Sequence, residues 1–415
     1  MSVSHPVQTA VDSDLGAIGP YRYKLATRVS EIDQPSWERV CQGANDPFME
    51  LPYLLANENA FCGEAQFWYA TLLNDRGEVI GCTCFSRYDV DVAMLGPAFT
   101  QWSTSLIRRV WKSFLKVPVL LGGSPVSNCR GQLILSDEVD SDRAVATLDA
   151  IVAEIVKQAP VAYIAYKEFK TPLSDRVSGL QKFGYLKLHS QITYDLVGEY
   201  DSFQSYLATR GKVSRARIRK RFQKLEAEGL TCVQCRGGEG AVERFTDEVY
   251  KLYLNVLAKA EKKLERLPVE YFRELARQYP DESRFTFLYK NDRPVGFVCG
   301  LDSPGSHVLL FCGLDYKLNN DGDLYFYGIY RSLAFALRPG VKTVLFGSTA
   351  DKFKTMVGCR PSSVWIYLKG VGLLRSALVN SLAWVLFPKP KTLTAPIELE
   401  LAEESKPTTS EKRAA

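Results

Sequence analysis

Two stretches of the chain carry the same pattern of apolar and polar positions. Residues 67–85 read FWYATLLNDRGEVIGCTCF and residues 285–301 read FTFLYKNDRPVGFVCGL. Each is an apolar run of strand length, then Asn-Asp-Arg, then a second apolar run that opens with Gly close behind Val or Ile. Asn and Asp supply turn chemistry between pleated runs, so both predict a β-hairpin. The echo continues downstream. VAYIAY (161–166) predicts a strand, LSDRVSGLQKFGY (173–185) a helix and HSQITYDL (189–196) a strand; KTVLFG (342–347), DKFKTMVGC (351–359) and SVWIYL (363–368) repeat that order. Each half reads hairpin, helix, strand, helix, strand, a duplication with its boundary near residue 196.

Between the halves, residues 208–229 (ATRGKVSRARIRKRFQKLEAEG) form a basic helix. From Arg210 to Lys224 there are eight basic residues and no acid. Ile218, Phe222 and Leu225 recur at i, i+4, i+7 and give the helix one docking face. Arg217, Arg221 and Lys224, with Lys220 beside them, lie on another. The cationic remainder is either a polyanion contact or a solvated face. A second helix is expected through Phe245, Val249, Leu252, Tyr253 and Val256, and a third over YFRELARQYP, ending at Pro280.

Composition adds limits. Of 415 residues 46% are hydrophobic and 24% charged, with 52 basic against 47 acidic side chains. That excludes a wholly disordered chain or a polytopic membrane protein and leaves any electrostatic message local. The ten cysteines sit mostly in apolar runs and the first twenty residues lack a leader pattern, so a cytoplasmic protein is expected. Residues 1–24 read as a flexible lead-in, 25–196 and 197–370 as two domains, 371–388 as an apolar helix and 389–415 as a disordered tail. In VGLLRSALVNSLAWVLFPKPK (371–391) Leu374, Leu378, Leu382 and Val385 share a stripe. Either this helix docks on the body, or it lies on a membrane surface and places the protein at the inner face of the membrane.

Several chemistries drop out. The histidines His5, His189 and His307 offer no nucleophile dyad, and Cys232 and Cys235 form a lone C-x-x-C. No metal is expected.

The strings NDPFMELPYLLANENA (45–60), SFQSYLATRGKVSRARIRKRFQKLEAEGL (202–230), GLDYKL (313–318), YFYGIYRSLAFAL (325–337) and VLFGSTADKFKTMVG (344–358) resemble, in order, the Fem-like (FemAB/FemX-type) branch of the GNAT acyltransferase superfamily. Phe353, Lys354 and Gly358 match its recurring (F/Y)K…G element. Over residues 25–370 the resemblance implies an α+β fold of two tandem GNAT-like domains, each a mixed, mainly antiparallel sheet flanked by helices. It also implies N-acyl transfer to an amine acceptor, possible cell-envelope precursors among them, from acyl-CoA or aminoacyl-tRNA as co-substrate with no tightly bound cofactor. Lys354 would then face the substrate, as a phosphate contact. Lys212, Arg215, Arg219 and Lys220 of the basic helix would hold the anionic partner, tRNA among the candidates.

CoA-dependent members hold the pyrophosphate on a glycine-rich loop before a helix. Here YKLNNDGDLYFYGIY has only Gly322 in that turn, while Gly122 and Gly123 form either a second anion nest or a plain turn. For aminolysis, Asp315 is a candidate to accept the proton or hold the ammonium. Tyr316 and Tyr327 are candidates to donate to the oxyanion or leaving oxygen, against a packing role for these tyrosines. The reading from another class is a non-catalytic protein that binds RNA or membrane through the basic helix.

Overall fold

The computed structural model describes residues 19–387 apart from 45, 92, 94–103, 105, 106, 110, 112, 113, 261–265, 320, 321 and 349; most of the expected lead-in and all of the 389–415 tail lie outside the described residues. Along the chain the elements are β1 (Arg22–Ala26), α1 (Gln34–Gln42), α2 (Leu51–Ala60), β2 (Ala65–Leu73), β3 (Val79–Asp91), β4 (Lys116–Gly122), β5 (Leu133–Leu135), α3 (Ser141–Gln158), β6 (Tyr163–Lys170), α4 (Thr171–Arg176) and β7 (Leu186–Val197). There follow α5 (Phe203–Ala208), α6 (Lys212–Ala227), β8 (Leu230–Arg236), α7 (Asp247–Lys259), α8 (Val269–Gln278), β9 (Ser283–Lys290), β10 (Arg293–Ser303), β11 (Ser306–Leu314), α9 (Asp323–Ala336), β12 (Thr343–Gly347), α10 (Asp351–Val357), β13 (Arg360–Gly370) and α11 (Leu373–Leu386).

Both expected hairpins form, with different turns. β9 and β10 close with Lys290 opposite Arg293, so Asn291 (φ 50°) and Asp292 (φ 58°) make a two-residue turn with both residues left-handed, the conformation Asn and Asp tolerate best. β2 and β3 close with Leu73 opposite Val79. There the Asn74 side-chain oxygen accepts from the N–H groups of Arg76 and Glu78, at 3.0 and 2.9 Å, and organises a longer loop.

The described residues divide into two compact units: 19–190, 257–280 and 364–387, and 191–256 and 281–363. The chain passes between them more often than a single boundary near 196 requires, for two reasons. β13 from Val364 onwards pairs with β6 in the first unit, while the later part of β7 pairs with β12 in the second. α8 also belongs to the first unit, where the Tyr271 hydroxyl meets that of Tyr53 at 3.0 Å and Glu274 accepts from Asn59 at 2.8 Å.

The first unit carries the strand order β1-β2-β3-β4-β6-β13, with β5 on β3; the second carries β7-β12-β11-β10-β9-β8. In each, one parallel neighbour pair (β4/β6, β11/β12) sits among antiparallel ladders. A crossover helix covers each sheet. α3 starts at Asp140, whose carboxylate accepts from Arg143 N at 2.8 Å, and buries Val145, Leu148, Ile151, Val152 and Ile155 against Ala70, Leu72, Phe85, Leu120 and Ile164. α9 buries Phe326, Ile329, Tyr330 and Leu333 against Val298, Leu309, Val344 and Phe346. Among the described residues no helix is long and apolar enough to cross a membrane.

The Gly122-Gly123 turn is a packing device. A Cβ on Gly122 would fall 2.2 Å from Cδ1 of the buried Tyr166 ring, and the Ser124 N–H beyond the pair donates to Gln132 Oε1 at 2.6 Å. Gly122→Ala should therefore cost about 1–3 kcal/mol through overpacking. Gly43→Ala, into open space at φ −77°, should stay within about 0.5 kcal/mol. Urea midpoints of the two variants against the parent check this.

Candidate functional site

In the second unit the parallel ladder of β11 and β12 lasts only three pairs, from Ser306↔Thr343 to Val308↔Leu345. Beyond it β11 stays with β10 as far as Leu314, whereas β12 shifts register on β7 and ends at Gly347↔Tyr194. The two strands diverge into a wedge.

Lys354 closes one side of that wedge. It is 2% exposed, and its ammonium donates to the carbonyls of Phe346, Gly347 and Ser348 at 2.8, 2.8 and 2.5 Å, while also standing 5.6 Å from the centre of the Tyr194 ring. Three hydrogens meet three carbonyls, so the lysine clamps the β12–α10 turn rather than extending from a surface. Gathering carbonyls at one point forces unusual backbone: Gly347 has φ 67° and Ala350, a residue with a Cβ, has φ 56°.

The neighbours in the resembling element are mechanical too. The Phe353 ring packs edge-on against Tyr325, Phe326 and Tyr330 at 5.2, 5.8 and 5.7 Å. Gly358 (φ 90°) takes the Arg210 guanidinium where a side chain would stand, and Arg210 donates to Val357 O at 3.3 Å.

Cys312 of β11 shares the wedge. Burial pushes its thiol up to about 11 against the pull of the Lys354 charge, and burial with Cys312 alongside raises the phenol of Tyr316. Burial likewise raises Tyr325, with Cys312 and Cys359 adding to it. These phenols are neutral donors at physiological pH.

The nominated residues thus separate. Tyr316 and Lys354 lie with Cys312. Asp315, one residue before Tyr316, accepts from Lys317 N at 3.0 Å and has Arg293 at 3.8 Å, so its carboxylate serves the turn after β11 and the β9–β10 hairpin. Tyr327 points away, donating to Glu226 Oε1 at 3.0 Å with its ring 4.8 Å from that of Phe222.

The basic helix α6 docks through Ile218, Phe222 and Leu225, as the spacing predicts. Its cations divide. Arg221 and Lys224 reach Asp323 at 3.1 and 3.0 Å, in the first turn of α9, and Arg215 donates to Ala208 O at 3.3 Å. Lys212, Arg217, Arg219 and Lys220 are exposed. Asp323 is itself buried, so the helix N-terminus that follows Gly322 already holds a carboxylate.

In the first unit the corresponding wedge, between β4 and β6, is filled by the chain's own loop 123–132. Ser127 donates to Glu168, a non-glycine residue at φ 66°, and Lys167 donates to Pro125 O at 2.8 Å. Ser86 donates to Gly123 O at 2.7 Å. Sequence reasoning missed Tyr194, Cys312 and Asp323, which acquire meaning only through strand pairing and the α6–α9 contact. Among the described residues no three His, Cys, Asp or Glu side chains are grouped to hold a metal.

Curated proteins yield no match to this chain. Among solved structures it is similar to FemX, with TM-score 0.53 at 11% identity over 86% of this chain and 99% of that one. It is also similar to a tandem GNAT protein from the clavulanic acid biosynthesis pathway, with TM-score 0.51 at 12% identity over 85% and 99%. Those likenesses establish the tandem GNAT-type fold. A family model described as peptidoglycan biosynthesis/recognition matches residues 28–365, and the chain belongs to that FemAB-like family.

Proposed function

We propose that the protein is an N-aminoacyltransferase that takes its acyl group from aminoacyl-tRNA and delivers it to an amine, a peptidoglycan precursor being the acceptor that the family description suggests. One observation favours this donor over acyl-CoA. The α9 N-terminus, placed where a pyrophosphate would dock in a CoA-dependent GNAT domain, carries Asp323 locked between Arg221 and Lys224. That buried ion pair already meets the positive end of the helix dipole, so a diphosphate arriving there would have to displace it. The outer face of α6 meanwhile presents Lys212, Arg217, Arg219 and Lys220 to solvent, a surface suited to phosphates in series.

The reaction centre would be the second-unit wedge, because loop 123–132 fills the first. The acceptor nitrogen attacks the ester carbonyl, an N–C bond forms, the C–O bond to the ribose breaks, and the amine proton passes to the ribose oxygen. Tyr316, kept protonated by burial, would donate to the developing oxyanion or the leaving oxygen. Asp315 would position Tyr316 through the turn it stabilises. Lys354 would position the wedge by holding the three carbonyls of residues 346–348. Tyr327 would secure α6 on α9.

Two experiments test this reading. Purified protein titrated with bulk aminoacyl-tRNA should bind it in a salt-dependent way, and Lys212→Ala/Arg219→Ala/Lys220→Ala should weaken that binding by about tenfold or more at moderate salt. Tight acetyl-CoA binding that the triple variant leaves intact would instead make this a CoA enzyme. tRNA binding with no transfer to any amine would favour the non-catalytic reading that the exposed α6 face also supports.

For the clamp, Lys354→Met should abolish transfer while α6-dependent tRNA binding persists, since the buried carbonyls of Phe346 and Gly347 lose their donor at about 1–3 kcal/mol each and the half-buried one of Ser348 is released. Lys354→Arg should not rescue, because a planar guanidinium cannot meet three convergent carbonyls at one point. Full activity in either variant would remove the positioning role.

A further inference from the structure

The two faces of α11 are used unequally. Val379 and Ala383 bury against Leu188, with Tyr163, Leu186, Ile366 and Leu368 packed around them. On the outward side Leu373 and Leu374 are 91% and 88% exposed, and Leu378 and Leu382 47% and 45%. The stripe of leucines that the spacing picks out is therefore the solvent stripe. In the same unit, Ile107, Trp111 and Leu115, exposed by 42%, 58% and 36%, precede β4. Isolated exposed apolar residues are ordinary, but two such groups at one place are not.

Strand register brings the segments that carry them to the same end of the sheet. Gly370 at the end of β13 is opposite Tyr163 at the start of β6, and Tyr163 is opposite Val119, three residues into β4. The chain thus enters β4 and leaves β13 at the same end of the sheet, two strand spacings or about 10 Å apart.

Along the sequence no acidic residue occurs from Val92 to Ser136 or from Lys352 to Ile397. In space carboxylates meet some of the cations: Asp91 stands opposite Lys116 in the β3–β4 ladder, and Asp149 takes Lys369 at 3.3 Å. Arg108 is held bidentately by Asp91 at 2.6 and 2.7 Å, whereas Arg109, Lys116 and Arg375 are exposed.

We propose that this end of the first unit rests on an anionic phospholipid bilayer, with the α11 leucines and Trp111 in the headgroup region and Arg109, Lys116 and Arg375 on the lipid phosphates. Leucine and tryptophan beside exposed cations fit that surface. A second copy of this chain would bring the same cations against one another. The inference stands independently of the donor.

The full-length protein should float with vesicles of phosphatidylcholine containing phosphatidylglycerol, and bind about tenfold or more weakly to phosphatidylcholine alone or in high salt. Leu374→Glu/Leu378→Glu should abolish flotation with Tm and sedimentation coefficient unchanged. Arg109→Ala/Lys116→Ala/Arg375→Ala should reduce flotation and flatten its salt dependence. The proposal is overturned if the parent ignores anionic vesicles or if the leucine variant floats equally well. It is overturned too if the leucine variant turns a dimer into a monomer, which would make the face an interface between copies. A sharp fall in Tm of that variant would equally overturn it, since the chain's own residues 388–415 would then cover the leucines.

Discussion

An ammonium withdrawn from water must be surrounded by acceptors, and at Lys354 that requirement shapes the corner on which the proposed site depends. Its three hydrogens are met by carbonyls of three successive residues, 346–348. Neither a regular strand nor a helix start aims three consecutive carbonyls at one point. The turn is accordingly built from left-handed residues, Gly347 and Ala350, and β12 cannot follow β11 beyond Leu345. The wedge is the geometric consequence. Phe353 in an aromatic cluster and Gly358 under the Arg210 guanidinium hold the two ends of the same short helix.

Charge is partitioned with similar economy around α6 and α9. The inward cations Arg221 and Lys224 converge on Asp323, and Glu226 of α6 receives Tyr327 and Arg331 from α9. These pairs fix the rotation of the basic helix about its axis, so Lys212, Arg219 and Lys220 are directed outward together. The duplicated halves have diverged along the same lines. In one unit the wedge is closed by a buried loop tied to Glu168 and Lys167; in the other it is lined by a lysine, a thiol and phenols.

Much of this was legible along the chain. Strand-length apolar runs around Asn-Asp marked both hairpins, Ile218, Phe222 and Leu225 marked the docking face of α6, and the order of elements marked the duplication. The turns were less so: identical Asn-Asp-Arg triplets close one hairpin in two residues and the other through an Asn74 side-chain bridge, because flanking register decides loop length. Lys354 stood out through resemblance, but its direction did not. A lysine in sequence is a solvated cation until its surroundings offer acceptors.

The sequence by itself determined the local elements, since period, turn residues and caps act over a few positions. Only tertiary structure decided which surfaces those elements present. α11 is apolar on nearly every side, so periodicity could not choose between its stripes; the sheet took Val379 and the small Ala383, which allow the closest approach, and left the leucines outside. Likewise, β13 joins β6 and β7 joins β12 through pairings about 150 or more residues apart, as the registers Val364↔Lys170 and Val197↔Thr343 show. Such pairings follow from the free energy of whole ladders and cores, and no local pattern encodes them.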